Sequence, residues 1–201
     1  MVRLEATSIG DAVRTLSQAF FMDDFVSRLC PDEGRRLRSI EPVFRFTANM
    51  AVHYGEAWAD SDQMRAVALW QVSWRMNCPP WRWLLFGGLD IRRRLGAAAY
   101  AELTRVSARI DETRDRLAPD RYLYLSSLGV LPDHRREGLA RDLVQPRVLR
   151  AAAEGLSSIV ETNSDGALAF YRNAGFLVRA QFTAVGLQYT VLEYPAQRAD
   201  R

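Results

Sequence analysis

The sequence predicts an α/β (α+β) fold in which helices flank a mixed β-sheet. Three observations carry this. The last third of the chain reads strand, helix, strand, helix, strand, strand. Earlier, a long helical pattern leads into two strands separated by Asp60-Ser61-Asp62, a turn signal. The 201 residues are 48% apolar and 25% charged, the values of a globular chain long enough to bury its own core.

Val2 to Ala6 suits a short first strand. Ser8 opens a helix with Asp11 in capping-box position, and Ala12, Val13, Leu16, Ala19 and Phe20 recur at helical spacing. Pro31 breaks the chain. A second helix is expected from Glu33 to Tyr54, kinked or divided at Pro42 and ended by Gly55. Glu56 to Ala59 and Met64 to Val72 form the two strands. From Trp74 to Pro119 the pattern is helical, with a stripe of Leu103, Val106, Ile110 and Leu117, and breaks at Pro79-Pro80 and Gly87-Gly88. We read residues 1–201 as one domain with a helical insertion at about 75–119. Tyr122 to Leu131 is a strand, Gly138 to Glu154 a helix, and Ser157 to Thr162 a short buried strand. Ala167 to Ala174 is a helix stopped by Gly175, and Phe176 to Val185 and Leu187 to Tyr194 form a hairpin near Gly186.

Composition narrows the chemistry. All 27 basic residues are arginine, so Schiff-base lysine chemistry and the Walker P-loop are excluded. The bias fits either a GC-rich coding sequence or a preference for planar phosphate recognition. Cys30 and Cys78 make no disulfide framework or C-x-x-C pair, and His53 and His134 alone do not suggest a zinc site, so no metal is expected. A net charge of +3 with interspersed signs gives no nucleic-acid footprint. No apolar signal core or membrane span stands out, which makes a cytoplasmic location the default expectation, with no membrane partner.

The segment Leu128 to Ala140 joins a strand to a helix. Successive N–H groups in such a loop converge on one point, and the helix N-terminus adds partial positive charge. Gly138 and Ala140 allow close approach, and Arg135 and Arg136 add charged donors. This is the physics of a diphosphate site, without the G-x-G-x-x-G of a dinucleotide fold.

Arg135-x-x-Gly138-x-Ala140 resembles the Q/R-x-x-G-x-G/A motif of the GNAT superfamily of N-acetyltransferases. Leu128-x-Val130-x-Pro132 is similar to that family's fourth strand and its exit. The run Ala169-Phe170-Tyr171-Arg172-Asn173-Ala174-Gly175-Phe176 is similar to its F-Y-x-x-x-G-F helix. Within the superfamily the chain resembles the puromycin N-acetyltransferase branch, through Ala12 to Leu16, Ala66 to Trp70, Gly129 to His134, and Glu161-Thr162 before Phe170-Tyr171.

The resemblance implies a mixed, mostly antiparallel sheet splayed between its fourth and fifth strands, with acetyl-CoA as cosubstrate in the gap. Leu128, Gly129 and Val130 would pair with the pantetheine and the acetyl carbonyl. Arg136, Glu137, Gly138, Leu139, Ala140 and Arg141 would cradle the pyrophosphate, with Arg135 beside them. Glu137 departs from the pattern, a carboxylate in a phosphate loop. It is harmless if it faces solvent or pairs with Arg136 or Arg141, and costly if it faces the ligand.

Acetyl transfer to an amine needs a neutral amine, a stabilised oxyanion and a proton for the departing thiolate. Tyr171 matches the family's proton-donating tyrosine. The fourth strand offers Tyr124, Ser126 and Ser127 but no acid, so Glu161 is the nearest candidate base, with Asp23, Asp24 and His53 behind it. Five tryptophans, Trp58, Trp70, Trp74, Trp81 and Trp83, would wall an aromatic acceptor pocket or else fill a core or subunit contact. Phe20, Phe21 and Phe25 would form the opposite wall, and Trp74, Tyr124 and Ser126 complete the acceptor-side candidates. The expected function is N-acetylation of a small-molecule amine, such as an aminonucleoside-like antibiotic or amino metabolite, by a monomer or homodimer. Its rivals are a protein or peptide N-acetyltransferase and a non-catalytic acyl-CoA-binding module.

Overall fold

The computed structural model describes residues 1–118 and 121–197; the expected end of the helical segment at Pro119 lies outside them. Seven strands form one sheet: β1 (Val2–Arg3), β2 (Gly55–Ala59), β3 (Ala66–Val72), β4 (Tyr122–Val130), β5 (Ser157–Thr162), β6 (Leu177–Ala184) and β7 (Leu187–Tyr194). Their order is β1-β2-β3-β4-β5-β7-β6. Every neighbouring pair is antiparallel except β4 and β5, which are joined by a helical crossover and run parallel.

The helices are α1 (Ile9–Ala19), α2 (Asp24–Leu29), α3 (Glu33–Tyr54), α4 (Pro80–Leu85), α5 (Gly88–Leu95), α6 (Ala97–Leu117), α7 (Leu139–Ala153) and α8 (Asp165–Asn173). Strand β3 is covered on both faces. Val67 and Leu69 point into a core shared with α1 and α3, while Ala66, Ala68 and Trp70 point into one shared with α7 and Tyr171 of α8. A third core packs Val106 of α6 against Tyr122, Ile159, Phe182, Tyr189 and Val191.

A β-bulge sets which way the two halves of β4 face. Opposite Leu69 and Trp70, strand β4 skips from Ser127 to Leu125, leaving Ser126 as the extra residue, its hydroxyl donating to the Leu69 carbonyl at 3.0 Å. The bulge shifts the in–out alternation. Tyr122 therefore meets α6 while Gly129 meets α1, where a Cβ at Gly129 would stand 2.9 Å from both the Ala19 Cβ and a Leu16 methyl.

Several local expectations change. The first strand ends at Arg3, and a 3-10 turn over Ala6–Ser8 precedes α1. Ser8 makes no side-chain cap, and Asp11 bonds Arg14 at 2.8 Å instead. Pro42 does not divide α3: the residue four before it, Arg38, is exposed, so water can serve its carbonyl. Helix α2 is an addition, nucleated by Asp23, whose carboxylate accepts from the Phe25 and Val26 N–H groups at 3.0 Å each.

Candidate active site

Strands β4 and β5 pair only at Tyr122 with Ser157, Leu123 with Ser158 and Tyr124 with Ile159. Beyond Tyr124 they diverge. From Ser126 to Val130 strand β4 keeps β3 on one edge and, among the described residues, has no strand on the other. That free edge is what an extended amide-bearing ligand would pair with.

At the exit of β4, the loop turns with Arg136 at φ 68° and Gly138 at φ 87°. Among the described residues no side chain caps the N-terminus of α7, and nothing lies within 4 Å of a Cβ placed on Gly138. The first-turn N–H groups of α7 are thus open to an anion. Free edge and open helix end together fit the amide-bearing arm and the pyrophosphate of coenzyme A.

Two loop side chains are already engaged. Arg135 donates to the Ala19 carbonyl at 2.9 Å, tying the loop to α1. Glu137 meets His134 Nδ1 at 3.1 Å and the Arg65 guanidinium at 3.7 Å, not Arg136 or Arg141. Arg136 and Arg141 remain exposed.

Where the strands part, the hydroxyl of Tyr124 donates to Oε1 of Glu161 across the gap. Oε2 of Glu161 is buried and takes no hydrogen bond from the described residues. Burial pushes the Glu161 carboxyl up to about 7, against the downward pull of the Tyr124 hydrogen bond and of the Arg114 charge. A carboxyl poised there is half ionised at neutral pH and can accept a proton.

Tyr171 lies in the α7-side core, edge-on to Phe170 and Phe176, whereas Glu161 faces the α6 side through Tyr124. Burial first, and the Glu161 charge second, raise the Tyr171 phenol above its ordinary value. It therefore holds its proton at neutral pH, on the opposite face of the sheet from Glu161.

The acceptor-side aromatics divide. Phe25 packs edge-on to Tyr189 at 6.3 Å, and Tyr189 stacks on Phe182 at 5.3 Å, on the same face as Tyr124. Phe20 packs on Phe44, and Phe21 lies under the buried guanidinium of Arg36. The tryptophans do not converge. Trp70 is fully buried, Trp58 donates to Glu56, Trp74 lies beneath Arg121, and Trp81 is exposed.

Sequence reasoning missed Arg114. It is buried on α6, donates from Nε to the Tyr122 hydroxyl at 2.8 Å, pairs with Asp111, and holds its guanidinium carbon 4.4 Å from the Tyr124 ring centre. The signal was present: Arg114 is four residues past Ile110 and three before Leu117, on the inward stripe.

Residues 95–176 match the Acetyltransferase (GNAT) family. Solved structures share the fold along the whole chain. A histone acetyltransferase HPA2 and related acetyltransferase from Corynebacterium glutamicum is 19% identical, with TM-score 0.65 over 98% of this chain and 96% of that one. The polyamine N-acetyltransferase of Drosophila melanogaster, which forms N-acetylagmatine, is 10% identical, with TM-score 0.65 over 96% and 97%. The ribosomal-protein-S18-alanine N-acetyltransferase of Escherichia coli is 15% identical, with TM-score 0.54 over 99% and 94%. The match over residues 95–176 and the shared fold give this chain the mixed-sheet architecture of the GNAT acetyltransferases. Among the described residues no helix is long and apolar enough to cross a membrane.

Proposed function

We propose that this chain transfers the acetyl group of acetyl-CoA to the amine of a small molecule. The observation that carries this reading is the Tyr124–Glu161 pair where β4 and β5 part, with Oε2 of the carboxylate unbonded and Tyr171 near the same gap. The neutral amine attacks the thioester carbonyl, and Glu161 takes the proton that its nitrogen sheds as the C–N bond forms. The N–H groups of the free β4 edge near Val130 receive the charge that develops on the carbonyl oxygen. Tyr171 gives its proton to the thiolate as the C–S bond breaks. Leu128 and Gly129 supply backbone to the pantetheine arm, and Arg136 to Arg141 the diphosphate cradle.

The acceptor side adds substance to the small-molecule reading. Phe25, Tyr189, Phe182 and Tyr124 give an aromatic wall beside the carboxylate, suited to an amine carrying a ring. The N-acetylagmatine-forming neighbour supports a small amine. The aminonucleoside-like acceptor, with the antibiotic resistance it would confer, rests on the resemblance to the puromycin N-acetyltransferase branch. Coverage of whole neighbours supports residues 1–201 acting as one catalytic domain, with the helices between β3 and β4 as an insertion. A cytoplasmic monomer or homodimer completes the reading.

A protein acceptor is the second reading, favoured by the histone and ribosomal-protein acetyltransferases among the neighbours. Thiol release from acetyl-CoA, measured against a panel of arylalkylamines, aminonucleosides, polyamines and N-terminal peptides, tests both. We expect turnover with ring-bearing small amines. Turnover confined to peptides would replace this reading with the second, and binding of acetyl-CoA without any release would support a non-catalytic module.

A further inference from the structure

Helix α6 lies on the face of the sheet that carries Tyr124 and Glu161, and it brings a buried cation there. Arg114 is 5% exposed. Its two ends are held by the Tyr122 hydroxyl and by Asp111, and its plane covers the Tyr124 ring. The Tyr124 hydroxyl in turn donates to Glu161 Oε1. A chain of contacts therefore runs from α6 through β4 to β5 and ends on a carboxylate with one oxygen unbonded. Burying a guanidinium is costly, and an apolar side chain at this buried position would carry less desolvation. What the cation does for its neighbours accounts for its place.

We propose that Arg114 is a positioning residue for acetyl transfer: stacked over Tyr124, it fixes that hydroxyl on Oε1 of Glu161 and leaves Oε2 as the oxygen that receives the acceptor's proton. The inference rests on the amine-acetylating reading and extends it to a helix outside the strand and loop motifs. The groups around Glu161 are few. Arg114 and Asp111 come from α6, Tyr124 from β4, Tyr171 from α8 and Tyr189 from β7, the last also feeling Asp23 and Arg28 at α2. Arg114 is the cation in that set that acts on Glu161, so its removal should raise the pH at which the carboxyl ionises.

The test combines carbon-13 NMR titration of the Glu161 carboxyl, assigned through Glu161→Gln, with steady-state kinetics and acetyl-CoA calorimetry. In Arg114→Met we expect the titration midpoint to move up by about one pH unit. The kcat should fall about tenfold or more, with coenzyme affinity unchanged. Arg114→Lys should return the midpoint towards wild type but not kcat, because an ammonium neither stacks flat on Tyr124 nor spans Tyr122 and Asp111 as a fork. Should Arg114→Met fail to fold, Tyr122→Phe removes one anchor of the guanidinium and should lower kcat in the same direction by a smaller factor. Unchanged midpoint and kcat in the folded variants overturn the proposal. An enzyme that acetylates no amine, yet shows the midpoint moving as expected, would overturn the functional reading and leave the positioning of Glu161 by Arg114 standing.

Discussion

Tyr171 can be isolated by a single atom. Its ring fills the core between Phe170 and Phe176, so Tyr171→Phe should fold and bind acetyl-CoA as before. General-acid assistance is worth about 10²–10⁴ in rate, so kcat should fall by about that factor in steady-state assays. Near-wild-type turnover would remove the phenol from the chemistry. Glu137 makes the opposite case. Its carboxylate is tied to His134 and Arg65, beside the diphosphate cradle we propose. Glu137→Gln should then change coenzyme affinity less than about tenfold by calorimetry, whereas a larger gain would mean that the carboxylate faces the phosphates. At this scale the sequence was informative where a motif spans consecutive residues, as around Tyr171. For Arg114 it placed the residue on the inward stripe of its helix but not its partner Tyr124, ten positions away and on another element.

Among the elements, α3 was readable because Asp32 caps it, Gly55 ends it, and twenty-odd residues of pattern outweigh one proline. Helix α2 was not, since six residues carry too little periodicity, and its cap Asp23 sits in an acidic pair that also reads as loop. The join between α1 and β4 offers a direct check. A methyl on Gly129 would overlap Ala19 and Leu16, so Gly129→Ala should destabilise the fold by about 1–3 kcal/mol in denaturant titration. It should also displace the free edge of β4 and weaken acetyl-CoA binding. A neutral substitution would mean that this glycine is not fixed by packing. Its small size is accounted for by the helix behind it.

For the molecule as a whole, the sheet and its crossover were legible in the order of elements, because a helix between two strands makes them parallel neighbours. The meeting of Tyr124 and Glu161 was not, because it depends on where β4 and β5 stop pairing, a three-residue match that no periodicity reports. That meeting sets the pH behaviour. Glu161 must be ionised to accept a proton, so kcat/KM should rise with pH through a midpoint of about 7. The sign for stability is opposite. A carboxyl raised in the folded state stabilises it at low pH and loses that advantage as pH climbs towards about 7, so Glu161→Gln should melt higher than wild type above that pH. The most direct measurement is therefore the rate of coenzyme A release with an accepted amine, for wild type and Glu161→Gln, across pH 5 to 9. We predict a wild-type rate that rises through about pH 7. In the folded, acetyl-CoA-binding variant, the rate should be lower by about 10²-fold or more, with that limb absent. A Glu161→Gln enzyme that keeps both the rate and the limb would contradict the account.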